Sequence, residues 1–100
     1  MELLEVFKAL SNETRLQILK WLKNPEQHFP MPQHGDIRED GVCVSDIQKK
    51  VGLSQSTVSL YLSMLQNAGL IKAKRKGQWT YYKRDEENIQ KMIERLSEDL

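Results

Sequence analysis

Cys43 is the single cysteine in a chain of 100 residues, so no internal disulfide can brace the fold. Histidine is almost as scarce, present only as His28 and His34. With no glycine-rich phosphate loop beside them, these residues give no nucleophile and base at a recognisable spacing, and an enzyme is the weakest of the function classes. No apolar run approaches the roughly 20 residues that cross a bilayer. The first residues, MELLEVFKAL, lack the basic start and apolar run of a signal peptide. The expectation is a cytoplasmic protein without a membrane partner. No internal repeat is visible. Proline occurs only as Pro25, Pro30 and Pro32, all within the segment 24–41 that also holds both histidines, and this segment reads as a loop inserted into one domain.

What is present is the composition of an ordinary soluble globular protein. A chain this short forms one domain, residues 1–100, with a limited core that a second copy can enlarge. Its net charge of +1 conceals an asymmetry: residues 44–84 carry eight basic residues against the lone acid Asp46, a balance of +7, and the remainder balances at −6. Such a segment calls for a polyanionic partner.

Apolar spacing predicts a helix through Leu3, Leu4, Val6, Phe7 and Leu10, then Ser11 as the N-cap of a second helix that buries Leu16, Leu19 and Leu22 with Ile18 and Trp21 on its flanks. After the inserted loop, VCV suits a short strand. The pattern SDIQ reads as a capping box, Ser45 capping and Gln48 reaching back, for a short helix that Gly52 ends. The next helix opens at Ser54 and closes at Gly69, with Val58, Leu62 and Leu65 as its buried stripe. LIKAKRKGQWTYYKR has strand character, with a type II′ turn at Gly77-Gln78. That register puts Ile71, Ala73 and Tyr82 on an inner face and Lys74, Lys76, Trp79 and Tyr81 on an outer one. A final helix begins near Asp85 and carries Ile89, Met92, Ile93, Leu96 and Leu100 at helical spacing.

The predicted fold class is therefore mainly α with a small β-hairpin, a winged helix-turn-helix in the order α-α-loop-α-α-β-β-α. The recognition helix, 55–68, would enter a major groove of double-stranded DNA, and the basic wing, 72–83, would lie on the backbone or minor groove. Opposite the buried stripe stand Ser56, Ser59, Leu60, Ser63 and Asn67, small or polar enough for close approach to base edges. Gln55, Ser56 and Thr57 sit at the helix N-terminus, where amides and hydroxyls hold phosphate. Gln55 is long enough for a base edge, and Leu60 suits a thymine methyl. Lys74, Arg75, Lys76 and Lys83 supply phosphate contacts. The terminal helices display apolar residues, Leu3, Leu4, Phe7, Ile89, Met92, Ile93 and Leu96, as a dimerisation surface. A winged-helix module that binds another protein without specific DNA readout is the alternative.

The stretches FKALSNETRLQILKWL, VCVSDIQKKVGLSQSTVSLYLSMLQNAGLI and RKGQWTYYK resemble the ArsR/SmtB family of bacterial winged-helix repressors over nearly the whole chain apart from residues 24–41. The resemblance implies a homodimer joined through its first and last helices, repression by binding a pseudo-palindromic operator, and release when an effector binds. Metal-sensing relatives often carry Cys-Val-Cys-Asp where this chain has Cys43, Val44, Ser45 and Asp46, and other relatives bind zinc-like ions between last helices through acids and histidines, where 85–100 has no histidine. Many relatives place histidines where Leu60 and Tyr61 stand. Serine is a poor ligand for soft metals. Cys43, His28 and His34 are an acceptable zinc set by chemistry but irregular in spacing. The expectation is no cofactor, with Cys43 a small, partly buried apolar residue.

Overall fold

The structure, a computed structural model, describes residues 2–32 and 35–100. Helix α1, Leu3–Leu10, turns Val6 and Ala9 into the core. Ser11 does not cap the second helix as the sequence suggests: its hydroxyl donates back to the carbonyl of Phe7 at 2.6 Å. Asn12 opens helix α2, Glu13–Lys23, by accepting the Arg15 N–H at 3.0 Å. This shifts the inward face to Arg15, Ile18, Leu19 and Leu22, a clean i, i+3, i+4, i+7 set. Ile18 is fully buried rather than flanking, and Leu16 is exposed. The Arg15 guanidinium donates from Nε to the Ala9 carbonyl at 2.7 Å and from a terminal nitrogen to that of Lys8 at 3.1 Å, closing the open carbonyl end of α1.

The inserted segment is more than a loop. Pro25 starts a one-turn helix α3, Pro25–His28, at the position where a missing N–H costs nothing. Phe29 is buried edge-on to Trp21, with ring centroids 6.3 Å apart. Ile37 joins the core. Arg38 grips Glu26 with two hydrogen bonds of 2.6 and 3.2 Å, and the Asp36 carboxylate accepts the N–H groups of Arg38 and Glu39, making a turn.

Strand β1, Val42–Cys43, leads directly into helix α4, Val44–Val51. The expected capping box is absent. Cys43 occupies the N-cap because the strand keeps the chain extended only that far, so Ser45 falls inside the first turn. The Gln48 amide instead donates forward to the Leu53 carbonyl at 3.2 Å. Gly52 ends the helix, as the sequence predicts. Helix α5, Gln55–Asn67, opens at Ser54, whose hydroxyl accepts the Thr57 N–H, and buries Val58, Leu62 and Leu65. Its last turn closes with the Leu70 N–H on the Leu65 carbonyl and the Gly69 N–H on that of Gln66, the Schellman pattern.

Strands β2, Ile71–Lys76, and β3, Trp79–Arg84, form the hairpin, and β1 adds to β3, giving a three-stranded antiparallel sheet in the order β1-β3-β2. At the turn Gly77 takes φ 63° and Gln78 does not take a positive φ, in keeping with type II′. Ala73 faces Tyr82 and Lys74 faces Tyr81, so the residues group as the sequence predicts. Their burial does not follow. Tyr81 is buried and Ala73 exposed, because Cys43 of β1 pairs opposite Tyr81 and the end of the inserted segment approaches the same face. Helix α6, Glu86–Asp99, opens at Asp85, whose carboxylate accepts the Asn88 N–H.

The chain enters β1 through Gly41 at φ 103°, where a side chain's first carbon would collide with the Tyr82 carbonyl group. Gly41→Ala combines this backbone clash with a disfavoured φ. It is expected to destabilise the domain by about 2 kcal/mol, lowering Tm by roughly 8–15 °C in a thermal unfolding scan.

Candidate nucleic-acid interface

Helix α5 is pinned at both ends and along one face, which fixes what its other face presents. Gln55, Ser56, Ser59, Leu60, Ser63 and Asn67 are all exposed, Leu60 at 58%. Thr57 differs from its neighbours. It is half-buried, its amide bonds the Ser54 hydroxyl at 3.2 Å and its hydroxyl accepts from the same group at 2.8 Å, so its polar atoms belong to the cap. Ser56 remains exposed, with its Oγ 3.3 Å from that of Ser54.

Alternation along the hairpin sorts the wing cations. Lys74, Lys76 and Lys83 share the face of Trp79 and Tyr81, and Arg75 lies on the other with Thr80. Each is held within the protein. The Lys74 ammonium lies 2.6 Å from Asp40 Oδ1 and the Lys76 ammonium 3.1 Å from Asp40 Oδ2. Lys83 donates to the Glu39 carbonyl at 2.9 Å. Arg75 donates to the carbonyl of Gly77 and the hydroxyl of Thr80 at 3.0 and 3.2 Å. The Asp40 carboxylate is 2% exposed and also accepts the Asp36 N–H at 2.9 Å. The Lys74 ammonium, the Asp36 N–H and the Lys76 ammonium together hold it well below the usual carboxylate range.

The sequence alone does not single out Asp40, because the +7 segment begins at residue 44 and the acid that folds onto it lies just upstream. Arg15 is likewise concealed as one more charged residue on an amphipathic helix. A signal for Asp40 existed: an Asp-Gly pair immediately before an apolar strand marks a turn that delivers its carboxylate to the sheet.

The apolar residues expected on the terminal helices divide. Leu4, Phe7 and Ile93 are 57%, 42% and 50% exposed, while Leu3, Met92 and Leu96 are half-buried. Ile89 packs in the protomer's own core, so it is not part of the exposed stripe. Cys43 is a buried free thiol 3.3 Å from the Ser45 hydroxyl. Among the described residues no three His, Cys, Asp or Glu side chains gather as a metal-binding group, and His34 lies outside those residues. A thiol beside a serine hydroxyl does not fit the paired-thiolate site of metal-sensing relatives. No helix among the described residues is long and apolar enough to cross a membrane.

An exposed, capped helix packed behind a short partner helix and followed by a basic hairpin defines a helix-turn-helix transcriptional regulator of the winged type. The sequence model of bacterial regulatory proteins of the arsR family matches residues 37–73. The chain belongs to the ArsR family. It is 56% identical to an HTH-type transcriptional regulator of Bacillus subtilis strain 168, YbzH, over the full length of both. It is 39% identical to a putative arsenical resistance operon repressor of Halobacterium salinarum, ArsR2, over 79% of this chain and 56% of that one. Among solved structures it is similar to the homodimeric winged helix-turn-helix DNA-binding domain of Mb0332 from Mycobacterium bovis, a possible ArsR-family regulator, with a TM-score of 0.63 and 29% identity over 93% of this chain and 72% of that one.

Proposed function

We propose that the chain acts in the cytoplasm as a homodimeric repressor that binds a pseudo-palindromic operator, with α5 in the major groove and the wing on the DNA backbone. The observation that carries this reading is the outward face of α5. Gln55, Ser56, Ser59, Leu60 and Ser63 stand exposed on a helix whose position is set by its buried stripe and both caps. The three serines are short enough to let the helix backbone approach base edges, Gln55 is long enough to reach one, and Leu60 offers its apolar surface to a thymine methyl. Leu4, Phe7 and Ile93 give an apolar surface on the two terminal helices for a second copy, and the Mycobacterium bovis neighbour is described as homodimeric. Two recognition helices related by a dyad read half-sites about one helical turn apart, roughly 34 Å. Operator binding by these side chains requires no metal or cofactor.

The test is selection of a duplex from a random pool, followed by binding titrations across salt concentrations. A dimer holding several phosphates through lysine and arginine should lose affinity steeply with salt, by about 0.9 in logarithmic slope per phosphate neutralised. Selection of no sequence, or a flat salt response, would contradict the reading.

A further inference from the structure

Asp40 is the deepest charged side chain among the described residues and has no part in the DNA-reading surface as the sequence presents it. It stands at the end of the inserted segment, on a turn that Asp36 closes and that the Arg38–Glu26 pair ties back to α3. From there its two oxygens reach ammonium groups on alternate residues of β2, Lys74 and Lys76, more than thirty positions along the chain. One residue earlier, the Glu39 carbonyl holds Lys83 on β3. Three of the four cations assigned to DNA phosphate are therefore gathered by two consecutive residues of the insert.

We propose that Asp40 is a positioning residue for the wing: its carboxylate pre-orders Lys74 and Lys76 for the DNA backbone and cancels one of their two charges. This rests on the reading of the wing as a backbone-binding element. An ammonium has three N–H donors, and those of Lys74 and Lys76 are on side chains 49% and 52% exposed, so each can hold Asp40 and still donate to a phosphate. Lysine side chains are among those that lose most freedom when fixed, and ordering them before DNA arrives lowers the cost of binding. Cancelling one charge restrains attraction to any duplex, which is sequence-independent, and so widens the margin for the right one.

Asp40→Asn keeps the shape and removes the charge. Its binding to random duplex should strengthen, with a salt slope steeper by about two, one for each protomer of the dimer, and its preference for the selected operator over random duplex should fall about tenfold, because the two lysines lose the placement that the registered operator complex needs and loose association with random duplex does not. Adding Lys74→Met restores the net charge: the slope should return to that of the wild type while the lost preference does not. A purely structural Asp40 would change the unfolding temperature and leave slope and preference untouched in the folded fraction, which would overturn the proposal. Recovery of both quantities in the double variant would overturn the positioning role. Should Asp40→Asn not fold, Asp40→Glu retains the charge but is one methylene too long for the buried site, and an unchanged preference in that variant would equally overturn the proposal. Wild-type protein that selects no operator would instead refute the DNA-binding reading itself.

Discussion

Ile93→Glu is expected to separate the dimer and to lower operator affinity by about 10²–10⁴-fold. Ile93 lies in the middle of α6 and is half-exposed in the protomer, whereas Ile89 one turn earlier is packed in its core. The protomer therefore loses little when Ile93 is replaced, and glutamate is a good helix former. At a two-fold interface the substitution acts twice, because each surface patch meets or neighbours its own counterpart. Two unpaired carboxylates are then placed against apolar surface, a cost of several kcal/mol that association must overcome. The affinity loss follows from geometry. In the dimer, binding of one half-site presents the second recognition helix at high effective concentration, and a monomer forfeits that gain. Sedimentation should show a monomer with an unchanged helical spectrum and an unfolding midpoint that no longer depends on protein concentration.

Ser59→Glu is expected to lower operator affinity by at least about 100-fold without altering dimerisation or unfolding. Ser59 is exposed beside the buried Val58, so a longer side chain there points into open surface rather than into the core. In a major groove the same position is flanked by two rows of phosphates, and a carboxylate there faces like charge in a partly desolvated cleft. Ser59→Ala is the informative companion. It removes one hydroxyl and should cost no more than about tenfold, the scale of a single base contact. Equal, small effects from both substitutions would place α5 away from the DNA.

Much of this arrangement was legible in the chain. Ser54 and Gly69 bracket α5 by chemistry that depends on near neighbours alone, and the stripe Val58, Leu62, Leu65 is set by helical period, so both hold in the structure. The hairpin turn was equally local, fixed by Gly77. What could not be read depends on partners distant in sequence. Ser45 is a good N-cap by type, but pairing of Val42 and Cys43 with Tyr82 and Tyr81 decides where α4 begins. Leu16 fits an apolar stripe as well as Ile18 does, and the packing of α2 in the common core, with Arg15 reaching the end of α1, places Ile18 inward. The basic run KAKRK reads as free charge until the fold brings Asp40 onto it. The inner and outer faces of the wing were grouped correctly by alternation, but which face is covered depended on a third strand and on the insert, neither of which the hairpin's own sequence contains.

The most direct test is a footprint of the wild-type protein on its selected duplex together with the mass of the complex. The expected result is one dimer per duplex, protecting two inverted half-sites centred about one helical turn apart, roughly 10 base pairs, with α5 substitutions altering contacts in the major groove of each half. A single protected half-site bound by one protomer, or protection spread evenly along any duplex, would contradict a dimeric reader of a symmetric operator.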